Sequence, residues 1–417
     1  VAFHDHDRLL RHSFLLLVAT QVGNVASVLY QMFLMRRLPP AEYGILAAMF
    51  GLIVMVSTPL DALRTAVAHY AARYCQTGSP GRIHGLIRGW SRIMAGIALI
   101  IILGSLTGSG YVAHFFQLPS PAILILTGVV MAGTLFMPLF AGALQGTQAF
   151  GWWAVSGQSW GVVRLVAGVA LVLGVQASAM MCLLGQGVGV LACVAIGWLG
   201  LLMVLRGKPN GDAETLMGGG AYFVKSLLVL AGYAVLANAD ICIVKHYFSP
   251  YEAGLFARGA TIARAIVFLT MPITIAMFPK VVSAGSVSEN TRKLFVRAIG
   301  YAAGLILAAC VGCTLLAGPI WFFFVGEWPS DASLRLLRMI LWTMAPLGLT
   351  SLMLNFEMAQ RRFHRLWMVI VCALVYVGGV MIWHDAMTQI VAVMAVVNVA
   401  TLVIMGLGMP WKQRRTV

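Results

Sequence analysis

Four arginines stand inside long apolar stretches of this chain: Arg64, Arg164, Arg258 and Arg264. Three acids do the same, Asp61, Asp240 and Glu357. A charge held at the depth of a membrane span costs about 2.5–3.5 kcal/mol on insertion scales, so it persists only where it faces protein or water. Guanidinium forms paired, charge-assisted bonds to phosphate and carboxylate oxygens. The arginines are therefore candidate binding groups for an anionic substrate, and the acids are candidates for ion or proton coupling.

Spacing sharpens the individual residues. Arg164 shares a helical face with Gly157, Gly161 and Gly168, a small-residue stripe of the kind that packs against a neighbouring helix or a cavity. Arg258 and Arg264 lie about 120° apart around one helix and would line two edges of a groove rather than one face. Asp61 and Arg64 sit at i, i+3, where they can neutralise each other. Asp240 can pair with Arg258 or Arg264 across a hairpin, or serve as a proton or sodium site, and the residues do not choose. Thr20, Asn24, Ser27 and Gln31 align within about 60° on one helix. That polar stripe, with Asn24 and Gln31 as candidate substrate contacts, reads as a cavity lining.

The elements that position these residues follow from composition. The chain of 417 residues is 60% hydrophobic and 10% charged; soluble globular chains carry roughly 25% charge. Apolar runs near the ~20 residues of a membrane span recur at 12–35, 43–72, 91–112, 122–143, 153–175, 180–205, 221–246, 253–281, 296–325, 335–359, 366–384 and 387–409. The expectation is an all-α integral membrane protein of about twelve transmembrane helices. No link between spans is long enough to fold as a soluble domain.

The net charge of +15 sets orientation rather than nucleic-acid binding. Of the 28 basic residues, 19 fall on one side, among them Arg73, Arg82, Arg206, Lys280, Arg292, Arg361, Lys412, Arg414 and Arg415. Arg36, Arg37, Lys245, Arg335 and Arg338 fall on the other. The asymmetry places both ends in the cytoplasm. The seven cysteines are scattered, mostly in apolar runs, and form no disulfide framework. Val1 rather than Met opens the chain, and the first span is expected to act as its own targeting signal.

The chain also repeats. Pro40-Ala41-Glu42-Tyr43-Gly44 follows span one and Pro250-Tyr251-Glu252-Ala253-Gly254 follows span seven. Pro119-Ser120 and Pro329-Ser330 recur at the same offset, with Pro59 near Pro272 and Pro138 near Pro346 after small drifts. Six spans per half is an even number, so the halves would be parallel repeats, 1–210 and 211–417, as in transporters with a site between two lobes. None of the four arginines recurs at its equivalent position. The scaffold is duplicated and the charges are not, which suits an asymmetric ligand.

Two catalytic patterns are decoys. Gly157-Gln158-Ser159-Trp160-Gly161 matches a nucleophile elbow but lies inside a span, where the strand that motif needs is missing. Cys310-Val311-Gly312-Cys313 is a solitary C-x-x-C. No nucleotide loop and no metal spacing occur. The reading is therefore no enzyme, no cofactor and no metal, with energy from an ion gradient or downhill flow.

The segment from Gln31-Met32-Phe33 through Arg36-Arg37-Leu38-Pro39-Pro40-Ala41-Glu42-Tyr43-Gly44 resembles the opening of bacterial polysaccharide transporters, the oligosaccharide-lipid flippases. Asn238-Ala239-Asp240-Ile241 through Gly254-Leu255-Phe256 is similar to their second-half segment, as are Met271-Pro272 and Phe278-Pro279-Lys280 to the end of span eight. These transporters share a superfamily with multidrug and toxic-compound extrusion exporters and lipid II flippases. The resemblance implies transport of an undecaprenyl-diphosphate-linked oligosaccharide across the inner membrane by alternating access. It implies a cationic lumen, matched in kind at Arg64, Arg164 and Arg264. Lipid-linked oligosaccharide and membrane lipid would be partners, H+ or Na+ and other polysaccharide-assembly proteins stay open, and nucleic acid is excluded. Some relatives carry two further spans that this chain lacks. A multidrug antiporter of the same superfamily, or less readily a membrane glycan polymerase or ligase, remains the alternative; the short outer links speak against the enzymes.

Overall fold

The computed structural model describes residues 2–208, 211, 220–274, 277, 289–360, 362–363 and 365–407. Among them every regular element is helical. The first part of the chain runs α1 (Ala2–Arg37), α2 (Pro40–Ser57), α3 (Asp61–Gln76), α4 (Arg82–Thr107), α5 (Ser109–Phe115), α6 (Ala122–Thr134), α7 (Met137–Gly146), α8 (Phe150–Gly174) and α9 (Ala179–Val204). The second runs α10 (Gly220–Tyr247), α11 (Pro250–Phe268), α12 (Glu289–Leu315), α13 (Ala317–Val325), α14 (Asp331–Ala359), α15 (Trp367–Ile382) and α16 (Met387–Leu407). Ten helical stretches among the described residues are long and apolar enough to cross a membrane. With α1 and the shorter apolar α15 they give the expected order of about twelve spans.

Prolines decide where spans bend. Pro59 sits in a 3-10 turn, Thr58–Leu60, that joins α2 to α3. Pro138 stands in the first turn of α7, just after the break from α6. Both positions suit a residue with no backbone N–H to give the preceding turn. Pro346 behaves differently and lies inside the continuous helix α14. Proline also opens helices: Pro40 and Pro250 occupy the start of α2 and α11, where the missing N–H would have had no partner anyway.

The two repeated glutamates, alike in sequence, cap different helices. Glu252 completes a capping box with Ser249 on its own helix α11. Glu42 reaches away from α2 and accepts from the backbone N–H of Ala179, at the start of α9.

Several expected spans differ in extent, two of them instructively. The stretch 296–325 is two helices, α12 and α13, with Leu316 between them. α13 then ends on Gly326 at φ 86°, a left-handed conformation that favours glycine. α4 starts at Arg82, well before the expected 91, because a helix can continue beyond the hydrocarbon on polar residues that hydropathy does not register. Phe278-Pro279-Lys280, Arg361 and the basic C-terminal residues Lys412, Arg414 and Arg415 lie outside the described residues.

The chain divides into two compact units, Val1–Leu227 and Leu228–Val417, the boundary falling within α10. In the first, α8 packs against both α1 and α9, and α3 packs against α7. Leu63, Val67, Leu139, Ala143 and Leu144 form the α3–α7 core together with Ile83 and Leu86 of α4. In the second, α14 is central and packs on α11, α12 and α16. Six of the seven cysteines are buried or half-buried, and Cys75 alone is exposed.

Candidate functional site

Arg164 is held in a nest built by three helices of the first unit. Its guanidinium lies 4.1 Å from the ring centre of Trp160, one turn earlier on α8, and 4.8 Å from that of Tyr30 on α1. Such cation–π contacts contribute about 0.5–2 kcal/mol each, more when water is excluded. Nη1 donates to Gln186 Oε1 of α9 at 3.3 Å. Tyr30 is fixed in turn by its hydroxyl, which donates to the Cys182 carbonyl at 3.2 Å. Arg164 is only 5% exposed, while its Nε has no hydrogen-bond partner among the described residues.

The glycine stripe makes this nest possible. A β-carbon at Gly168 would lie 2.6 Å from the Tyr30 ring, and one at Gly185 would lie 2.7 Å from the Gly168 Cα. One at Gly161 would meet the Gly23 carbonyl at 3.0 Å. Small residues thus let α1, α8 and α9 approach backbone to backbone, the packing device of membrane helices. Gly157, in the same stripe, faces open space.

Arg64 is placed by a second close approach. A β-carbon at Gly142 would lie 2.5 Å from the Arg64 carbonyl, so glycine lets α7 close on α3. Gln145 then comes within reach, and its Oε1 accepts from Arg64 Nη1 at 3.0 Å. The Nε donates to Asp61 at 3.1 Å, the i, i+3 pair the spacing allows. This pair is open, with side chains 33% and 60% exposed. On α1, Thr20 and Asn24 are exposed, whereas Ser27 and Gln31 are half-buried. Gln31 accepts from the Tyr43 hydroxyl at 3.2 Å.

In the second unit, Arg264 joins Asp240 through Nη2 and donates from Nε to the Ala237 carbonyl at 2.9 Å. The acid is wholly buried and the arginine side chain is 15% exposed, so the pair meets the outside only through Arg264. Its Nη1 group takes no part in these bonds. Arg258 lies buried on α11, about 120° around the helix from Arg264. Glu357 is buried near the end of α14, and neither carboxylate oxygen has a hydrogen-bond partner among the described residues.

The structure therefore brings Asp61 together with Arg64 and Asp240 together with Arg264, and leaves Arg164 and Glu357 in separate surroundings. Tyr30, Trp160, Gln145 and Gln186 are partners that the sequence reading did not single out. Trp160 carried a signal, since it stands at i−4 to Arg164 and so on the same face. Gln186 carried another, as a polar side chain amid an apolar run. No group of three or more His, Cys, Asp or Glu suited to a metal ion occurs among the described residues.

No protein-family model and no curated protein sequence matches the chain. Solved structures share its fold across nearly the whole length. An inward-facing multidrug resistance MATE family transporter of the MOP superfamily superposes with a TM-score of 0.74 at 12% identity, over 93% of this chain and 92% of that one. Lipid II flippase MurJ, in an inward closed conformation, gives 0.67 at 12% identity, over 94% and 86%. A MOP superfamily transporter from Pyrococcus furiosus, described as having a binding pocket of reverse polarity, gives 0.62 at 13% identity, over 95% and 93%. The chain is a multi-pass helical membrane protein with the fold of the MOP superfamily transporters, the superfamily that its hairpin motifs resemble.

Proposed function

We propose that this protein turns an undecaprenyl-diphosphate-linked oligosaccharide across the bacterial inner membrane by alternating access, with both termini in the cytoplasm. The observation that carries the reading is the presence of arginines inside the spans of a MOP-type fold. A diphosphate needs cationic, fork-shaped donors. Arg64 and Arg264 each keep one terminal nitrogen outside the bonds described above, and both side chains are partly exposed. Arg164 and Arg258, both buried, are the further candidate contacts in this reading. Asn24 and Gln31 would contact the glycan. Asp61, Asp240 and Glu357 are the groups available for coupling to H+ or Na+. The protein performs no covalent chemistry in this reading, and the fold neighbours are transporters and a flippase.

Deletion of the gene in its native cell tests the proposal. The expected result is loss of a surface polysaccharide with accumulation of its lipid-linked unit, restored by the intact gene but not by Arg64→Ala/Arg264→Ala. Unchanged glycan with new sensitivity to cationic drugs would instead support a multidrug exporter on the same fold.

A further inference from the structure

The basic end of α12 has no part in that function. Arg292, Lys293 and Arg297 line, with Val296, a surface cavity of about 350 Å³. Phe295 stacks on Phe356 with ring centres 3.9 Å apart, which sets this end of α12 against the end of α14, just before the segment that carries Arg362 and Arg365. Glu357, whose carboxylate feels the charge of those two arginines, is buried rather than presented at the surface.

The face below the cavity is apolar and open. At 100° per residue, Val296, Gly300, Leu307 and Val311 fall within about 60° of one another. Val296, Leu307 and Val311 are exposed, and a β-carbon on Gly300 or Gly304 would meet nothing within 4 Å. From Val296 to Leu307 the helix rises about 16 Å, close to one leaflet of a ~30 Å hydrocarbon core. Cations above a leaflet-long apolar trough match a molecule with an anionic head and a hydrocarbon tail.

We propose that this face binds an anionic membrane phospholipid, its phosphate held by Arg292, Lys293 and Arg297 and one acyl chain lying along Val296, Gly300, Leu307 and Val311. Guanidinium and ammonium groups supply charge-assisted bonds to phosphate. The site is separate from the arginines proposed to meet cargo.

The test is thermal unfolding of the purified full-length chain in detergent, titrated with phosphatidylglycerol, phosphatidylcholine or inorganic phosphate. A ligand of the folded state raises the unfolding temperature as it binds. Phosphatidylglycerol should raise it by several degrees, less at high salt, whereas the other two leave it unchanged. Arg292→Gln/Lys293→Gln/Arg297→Gln should lose most of that rise, and Arg82→Gln/Arg88→Gln/Arg92→Gln on α4 should keep it. Gly300→Leu places a side chain in the acyl path without touching the charges; it should weaken the response and serves if the triple variant does not fold. A full response in the α12 variants overturns the proposal. So does an equal response to phosphatidylcholine, or to phosphate alone.

Discussion

The carboxylate of Glu42 accepts a hydrogen bond from the backbone N–H of Ala179 at 2.7 Å, tying the start of α2 to the start of α9 across 137 positions of sequence. The first turn of a helix carries N–H groups without intrahelical partners and a positive partial charge. An anionic acceptor satisfies both. Glu42→Ala should lower stability by about 1–2 kcal/mol, and Glu42→Gln by less, because the amide oxygen still accepts. Ser249→Ala in the second unit should cost about 1 kcal/mol through its own helix cap. Unfolding temperatures of the three variants in one detergent give the comparison; equal values for Glu42→Ala and the unaltered chain would rule out the tie.

The Arg164 nest predicts that lysine cannot replace arginine. Lys keeps the charge but loses the flat group that lies over Trp160 and Tyr30. Arg164→Lys should destabilise the chain by about 1–2 kcal/mol. Arg164→Ala should cost about 3 kcal/mol, since it leaves a cavity and strands the Gln186 oxygen. Chemical unfolding of both variants beside Trp160→Leu reads the series, and a Lys variant as stable as the native chain would rule out the stacking account.

Gly168 and Gly157 make a matched pair for the packing claim. Gly168→Ala should cost about 1–3 kcal/mol, because its new carbon meets the buried Tyr30 ring. Gly157→Ala, which meets nothing, should stabilise the helix by about 0.5–1 kcal/mol. The opposite signs are the readout.

The buried pair gives a double-mutant cycle. Removing one partner of a buried ion pair strands the other and costs about 3–5 kcal/mol. Asp240→Ala should therefore be severe, and Asp240→Ala/Arg264→Met should be milder than the sum of the single variants. Additive losses would mean that the two side chains do not act together.

Much of the fold was legible because a bilayer imposes a length on each span, and the runs around Pro40 and Pro250 repeat the same opening. Helix ends were less legible: Arg82 begins a helix outside the apolar run, and Leu316 separates two helices within one. Of the site, Asp61 with Arg64 was readable from spacing alone. Asp240 was left between two arginines. Counting outward from the hairpin turn at Ser249 points to Arg258, yet the partner is Arg264. Side chains on a helix lean toward its N-terminus, so the long Arg264 side chain reaches back over about a turn. Gln145 and Tyr30 join their arginines only through tertiary approach of distant helices, and no spacing rule encodes that.

The exposure of Cys75, alone among the seven thiols, makes the native protein its own topology reporter. Cys75 stands in the last turn of α3, in the first link of the chain that is read as cytoplasmic. A membrane-impermeant maleimide added to intact spheroplasts should leave it untouched and should label it once the membrane is opened. The other six thiols are buried or half-buried within membrane spans, out of reach of a water-borne reagent. Orientation can thus be determined on the unaltered sequence, without building a cysteine-free background.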